Sequence, residues 1–165
     1  NRLTLEIRPS PTAASSNVIP VQSETAQILK PQPISPDKVV EQTIVARQKS
    51  LWDQFFLYID LETMLKKDPL RKRQYQNSSS KECAKMLEEF KSNLMAERID
   101  TDIVAIPERF EIVRTTYSAT EGKVIVLEWF KNPTFYEKKQ YTYSVRQRDG
   151  IWHIYDYTVD NLGTE

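Results

Sequence analysis

Residues 138–159, KKQYTYSVRQRDGIWHIYDYTV, decide how this chain is read. Two runs that alternate apolar and polar residues meet at Arg148-Asp149-Gly150-Ile151. Asp and Gly both tolerate positive φ, so the pair fits a type I′ turn, whose twist matches the strands it joins. A two-residue loop also sets the register. Arg148 opposes Ile151, Gln147 opposes Trp152, Val145 opposes Ile154 and Tyr143 opposes Asp156. Tyr141, Tyr143, Val145, Trp152, Ile154, Asp156 and Thr158 then share the more apolar face, the one expected to cover a core. Arg146, His153, Ser144 and Tyr155 fall on the other.

Working outward, the chain before this hairpin carries more strands. Arg109–Tyr117 and Lys123–Phe130 alternate in the same way around a turn at Thr120-Glu121-Gly122. Lys131-Asn132-Pro133-Thr134 forms a loop, and Lys138–Gln147 and Ile151–Val159 make the final pair. Ile103–Ile106 reads as a further strand, interrupted by Pro107. Residues 35–95 read instead as helices. Ser35-Pro36-Asp37 suits a helix start, with Ser at the cap, Pro in the first turn and an acid at the positive dipole end. Val40, Ile44, Leu51, Phe55 and Ile59 recur at helical spacing, widened by Val45, Trp52 and Phe56. Asp60 is placed to cap a short helix with Leu61, Met64 and Leu65, and Asp68-Pro69 ends it. Ser79-Ser80-Lys81-Glu82 fits a capping box, followed by Cys83, Leu87, Phe90 and Leu94 on one helix face. Helices followed by an antiparallel sheet predict an α+β fold, with the helices packed on a curved sheet.

The segment before the helices differs. Residues 9–36 hold six of the nine prolines and no aromatic residue, which predicts a linker or arm over 9–34. Leu3, Leu5 and Ile7 alternate within residues 1–8, a short strand that either returns to the domain's own edge or pairs with a neighbouring module or subunit. The domain itself is expected over 35–160, with 161–165 as a tail.

Composition narrows the chemistry. The 165 residues carry no formal net charge, which argues against a nucleic-acid footprint. The nearest basic group, Lys66-Lys67 with Arg71-Lys72-Arg73, reads as a solvated inter-helix turn or a partner-binding patch. One cysteine, Cys83, provides no internal disulfide framework and no multi-cysteine zinc site, and no cofactor is expected. Its place on an apolar helix face predicts a buried structural thiol. The single histidine, His153, lies on an outer strand position, so no two-histidine metal or triad arrangement can form. Asn77-Ser78-Ser79 fits the glycosylation pattern, but it reads as the approach to the helix cap. No apolar run reaches the length of a bilayer span. The start at Asn1 rather than Met reads as a processed or excised product whose leader or anchor has gone.

A helical entry of the form Ser-Pro-Asp-Lys-Val-Val, a bend near Tyr58-Ile59-Asp60-Leu61 and a closing strand with Gly150, Trp152 and Ile154 resemble the nuclear-transport-factor-two-like (cystatin-like cone) superfamily. That resemblance implies a bent sheet wrapped around the first helix, over about residues 35–160. It also implies a choice, because the superfamily includes enzymes and non-enzymatic assembly domains. Enzyme members place an Asp–His or Asp–Tyr pair in the cone. Here the candidates are Asp156 as base and Tyr143 as donor. The other candidate surface is aromatic: Trp129, Phe130, Phe135 and Tyr136 cluster around the Asn132-Pro133 loop, as a partner-binding patch or as packing beneath the loop. The expected function is a non-enzymatic protein-binding or assembly domain of an exported or membrane-tethered bacterial protein, extracytoplasmic, with a membrane tether outside this chain. Its partners would be other proteins, including subunits of a membrane-associated assembly or a second copy in a homodimer. A more specific similarity is to the inner-membrane scaffold domain of type IV secretion systems, although the Asn-Pro-Leu-Gly motif of that family does not occur here. The alternative function is a small-molecule-binding or enzymatic cone.

Overall fold

The computed structural model describes residues 30–165. The strand expected at 1–8 and most of the arm expected at 9–34 lie outside the described residues. Among the described residues five helices come first: α1 (Pro36–Gln48), α2 (Trp52–Phe55), α3 (Leu61–Leu65), α4 (Pro69–Gln76) and α5 (Ser80–Met95). A 3₁₀ turn, Phe56–Tyr58, lies between α2 and α3. Four strands follow: β1 (Arg109–Tyr117), β2 (Glu121–Lys131), β3 (Tyr136–Arg148) and β4 (Ile151–Thr164). They form one antiparallel meander in chain order, curved and unclosed. This is the α+β arrangement, helices followed by a curved antiparallel sheet, that the sequence predicts.

Local chemistry accounts for most boundaries. Pro36 opens α1 and Asp37 lies in its first turn, while Ser35 occupies the cap position without a side-chain bond. The apolar stripe from Val40 to Ile59 is not one helix. Ser50 adopts φ 56° after α1, the chain bends, and Leu51 is left 43 % exposed. The stripe therefore continues on a different axis, with Phe55 and Phe56 packed edge to face at 4.9 Å. Asp60 caps α3 by accepting from Thr63 N–H at 3.1 Å, as its position before Leu61 predicts. Pro69 both ends that helical turn and starts α4, which places Arg71, Lys72 and Arg73 in a helix rather than in the expected turn. The Ser79–Glu82 capping box forms as read, and Phe90 and Leu94 are buried on the face it starts. The segment expected as a strand at Ile103–Ile106 is a turn, with Ile103 and Val104 buried and Ile106 exposed.

The sheet register is set at two turns. Asp149 and Gly150 have φ 55° and 81°, the paired positive values a type I′ turn requires. At the other hairpin Gly122 opposes Tyr117 so closely that a Cβ there would lie 2.5 Å from the Tyr117 Cβ. Only glycine fits that approach without moving backbone. β4 runs well beyond the expected end, so residues 161–164 belong to the sheet and not to a tail. Tyr136 and Glu165 then exchange backbone bonds in both directions.

The core lies between the helices and one sheet face. Val39, Val40, Ile44 and Phe55 from the helices meet Val124, Val126, Tyr141, Tyr143, Val145 and Ile154 from the sheet, all at about zero exposure. The helical layer is also stitched to β4 by a parallel bridge between Ile59 and Ile154, with Asp60 N–H donating to Ile154 O at 2.8 Å.

Candidate functional site

The core-facing side of the sheet holds an ionic group that no motif announced. On β2 the inward positions run Val124, Val126, Glu128, so the alternation places a carboxylate in the core. Glu128 is fully buried. Arg47, one turn beyond Ile44 on α1, is equally buried and faces it. Arg47 Nη2 donates to Glu128 Oε1, and Nη1 donates to the Tyr143 hydroxyl at 3.2 Å. Tyr143 in turn donates to Glu128 Oε2 at 2.5 Å. Each member therefore satisfies the other two, which is the condition for burying charge without a large penalty. Arg47 Nε alone has no partner among the described residues.

The electrostatics follow from depth. Burial pushes the Glu128 carboxyl above its ordinary range, opposed by Arg47 and by the Tyr143 bond. Burial works against the Arg47 charge too, but Tyr143 and Glu128 outweigh it and raise the guanidinium further. Burial holds Tyr143 well above a free phenol, despite the pull of Arg47. Around the triad, Tyr141 stacks on Tyr143 at 5.6 Å and on Tyr157 at 6.0 Å, and the Arg47 guanidinium lies 5.3 Å from the Tyr141 ring centre. Tyr141 donates to Asp102 O at 2.9 Å, and Tyr157 donates to Asp100. The hydroxyls of the stack thus fasten the 100–102 turn to the sheet, while the rings fill the cone.

Asp156 and Tyr143 do not come together. A β-bulge between Ser144 and Val145 adds one residue on β4, so Asp156 opposes Ser144 and Tyr157 opposes Tyr143. The two-residue turn fixes the register only as far as Ile154. Asp156 is half-buried and pairs with Lys67 at 2.6 Å. His153 opposes Arg146 on the outer face, as expected. Burial lowers its pKa, partly offset by Asp60, and the Arg148 charge adds to the lowering.

The aromatic patch divides by the same alternation. Phe130 faces inward and packs on Tyr141 at 6.1 Å. Trp129 lies on the outer face yet is only 5 % exposed. Arg109 covers its ring at 3.7 Å, Lys138 approaches at 5.5 Å, and its indole N–H donates to Glu165 at 3.2 Å. Phe135 stands on the β2–β3 turn at 39 % exposure. The half-buried Tyr136 donates its hydroxyl to Glu108 at 3.0 Å.

Other groups are structural or open. Cys83 is half-buried, and its thiol donates to Tyr75 O at 3.2 Å. Among the described residues no group of three or more His, Cys, Asp or Glu is placed to hold a metal ion. A cleft of about 310 Å³ lies between α3, α4, α5 and β4, with Met64, Phe90, Leu94 and Ile103 among its lining and Asp68 and Asp100 beside them. Among the described residues no helix is long and apolar enough to cross a membrane.

Sequence reasoning missed Arg47 and Glu128, although a signal was present. Glu128 interrupts the inward series of β2, and Arg47 follows Val40 and Ile44 at spacings of seven and three. A charge at an inward position of each of two facing elements marks a pair.

No curated protein matches the chain. A solved structure from Campylobacter jejuni, described as an NTF2-like transpeptidase, is similar at 14% identity with a TM-score of 0.40, covering 73% of this chain and 97% of that one. A family model, described as flagellar collar protein C, C-terminal domain, matches residues 37–165, and the chain belongs to that family.

Proposed function

We propose that this chain is a non-catalytic protein-binding domain of a bacterial flagellar collar, a structural part working at the cell envelope. The observation that carries the reading is the state of the cone. Its interior is filled by Phe55, Tyr141, Tyr143, Trp152 and Ile154, and its three deepest polar side chains are turned on one another. A catalytic acid or base needs a reachable proton and space for a substrate. Tyr143 keeps its proton in the hydrogen bond it donates to Glu128, and Asp156 lies outside the core beside Lys67. Membership of a flagellar collar family supports the assembly role. The extracytoplasmic location and a tether outside the chain belong to the same proposal, as does a scaffold role of the kind found in secretion systems.

The contact surface proposed is the end of the sheet where β2 turns into β3. Phe135 is exposed there, Tyr136 is held by Glu108, and Ile106 is 46 % exposed beside an open depression shared with Glu108 and Lys131. Trp129 supports this end from beneath Arg109. Aromatic residues at the centre of an interface commonly carry ~2 kcal/mol or more each. In a pull-down from the source organism, Phe135→Ser with Tyr136→Ala should reduce partner recovery about tenfold or more, while Asp156→Asn and His153→Ala leave it unchanged. Loss of turnover or of small-ligand affinity on Asp156→Asn, with partner recovery intact, would sink the proposal in favour of an enzymatic or ligand-binding cone.

A further inference from the structure

We infer that α4 and the turn before it form a contact for an anionic phospholipid surface. Between Lys66 and Arg73 the chain carries five cations and one acid, in a protein with no net charge. The turn read from sequence as a basic inter-helix loop is an eight-residue helix with no buried residue. Leu70, in the middle of the cations, is 70 % exposed, a large aliphatic side chain held away from the core.

The cations are held by surface contacts, Lys66 and Arg71 also lying over the Tyr75 and Phe90 rings at 4.9 and 5.6 Å. Lys66 pairs with Glu62 at 2.7 Å, Lys67 with Asp156 at 2.6 Å and Arg71 with Asp68 at 3.7 Å, all at least partly exposed. Exposed pairs of this kind contribute little and are readily exchanged. Lys72 and Arg73 form no ion pair among the described residues.

The shape selects the occupant. An acidic peptide would need a recess to receive side chains, as interface anchors seat in pockets. Here Leu70 projects, and the neighbouring 310 Å³ cleft sets Asp68 and Asp100 against Lys67 and Arg71, so it offers an acidic segment no net attraction. A fluid lipid surface accommodates a projecting apolar side chain, and its anionic headgroups match a basic cluster. Each cation near such a surface contributes ~1 kcal/mol, and the attraction weakens as salt screens it. One leucine and a few cations make a weak, reversible contact. Its use would be to fix the orientation of the domain on the membrane.

The test uses the 165-residue chain in vesicle flotation, with phosphatidylcholine vesicles containing or lacking about one third phosphatidylglycerol. Binding is expected only to the anionic vesicles at low salt, falling as salt rises. The Lys72→Gln/Arg73→Gln variant removes two contacts and should lower partition roughly thirtyfold. Leu70→Ser should lower it severalfold. These side chains are exposed, so the circular-dichroism melting curve of each variant should match the parent and show that folding is intact. Equal binding to neutral and anionic vesicles, no binding to either, or full binding by the double variant would overturn the inference. Salt-dependent binding to polyglutamate with none to anionic vesicles would overturn it in favour of an acidic protein partner. None of these readouts involves Phe135 or Tyr136, so the collar proposal stands or falls separately.

Discussion

Arg47 on the inner face of the sheet and Arg109 on the outer each lie against an aromatic ring, and the two contacts are built differently. Inside, Arg47 lies over Tyr141 with no exposure and is matched by Glu128 and Tyr143. Outside, Arg109 covers Trp129 from solvent, much closer to the ring, and no carboxylate among the described residues pairs with it. A dehydrated guanidinium must have its partners in place, whereas a hydrated one can simply shield an apolar surface. The inner arginine is therefore part of the fold, and the outer one is a removable cover over a tryptophan.

The largest expected effect tests the inner site. Glu128→Leu leaves Arg47 charged and buried, and should cost about 3–5 kcal/mol in urea denaturation. Arg47→Met combined with Glu128→Leu should recover most of that loss, because the costly state is the half-broken pair. A double variant as unstable as the single would mean that the group stabilises the fold outright, and the contrast between the faces would then rest on energy rather than on matching.

Trp152→Ala should come next, at about 3–5 kcal/mol for a large buried aromatic. Trp152 is 6 % exposed and meets Tyr117 edge to face at 5.7 Å. A denaturation midpoint near that of the parent protein would show that the rim of the inner face tolerates voids that its centre does not.

At the margin between the faces, Asp60 caps α3 and meets Arg148 at 3.0 Å. Its burial alone would raise the carboxyl, but the two Thr63 bonds and Arg148 bring it below the usual range. A lowered folded value gives stability that is present above the ordinary aspartate range and is lost as pH falls through the folded value. Asp60→Ala should cost ~1 kcal/mol at neutral pH and flatten that part of the acid limb. An unchanged acid limb in pH-dependent melting would assign the cap no ionic component.

The smallest effect belongs to the outer arginine. Arg109→Gln should cost only ~0.5–1 kcal/mol, the range for an exposed cation–π contact, while raising Trp129 quenching by added iodide. A cost comparable with that of Glu128→Leu would erase the distinction between the faces.

Local rules carried the sequence reading where they acted alone. The Asp149-Gly150 turn, the Ser79 capping box and the Asp60 cap each depend on a few adjacent residues, and each formed where it was read. The reading failed where a tertiary choice intervened. The extra residue at the Ser144–Val145 bulge rotates Asp156 out of the position opposite Tyr143, and no turn rule counts residues that far from the loop. Ile103 and Val104 are buried as their character predicts, but they pack as a turn, with Tyr141 bonded to the carbonyl of Asp102. Helix α4 was missed because it has no apolar face to produce a period. Arg47 and Glu128 were hidden by distance, since neither is unusual until the other is opposite it.

That distance has a consequence for how the molecule is made. Arg47 precedes Glu128 by 81 positions and Tyr143 by 96. During synthesis α1 leaves the ribosome long before its counter-charge exists, and until then its guanidinium stays in water. The four strands, joined by short turns, can zip up neighbour by neighbour. Docking of α1 on the sheet is the step that dries the charge. A chain interrupted before β2 cannot complete that step. Its Arg47 has no buried carboxylate to meet and stays hydrated.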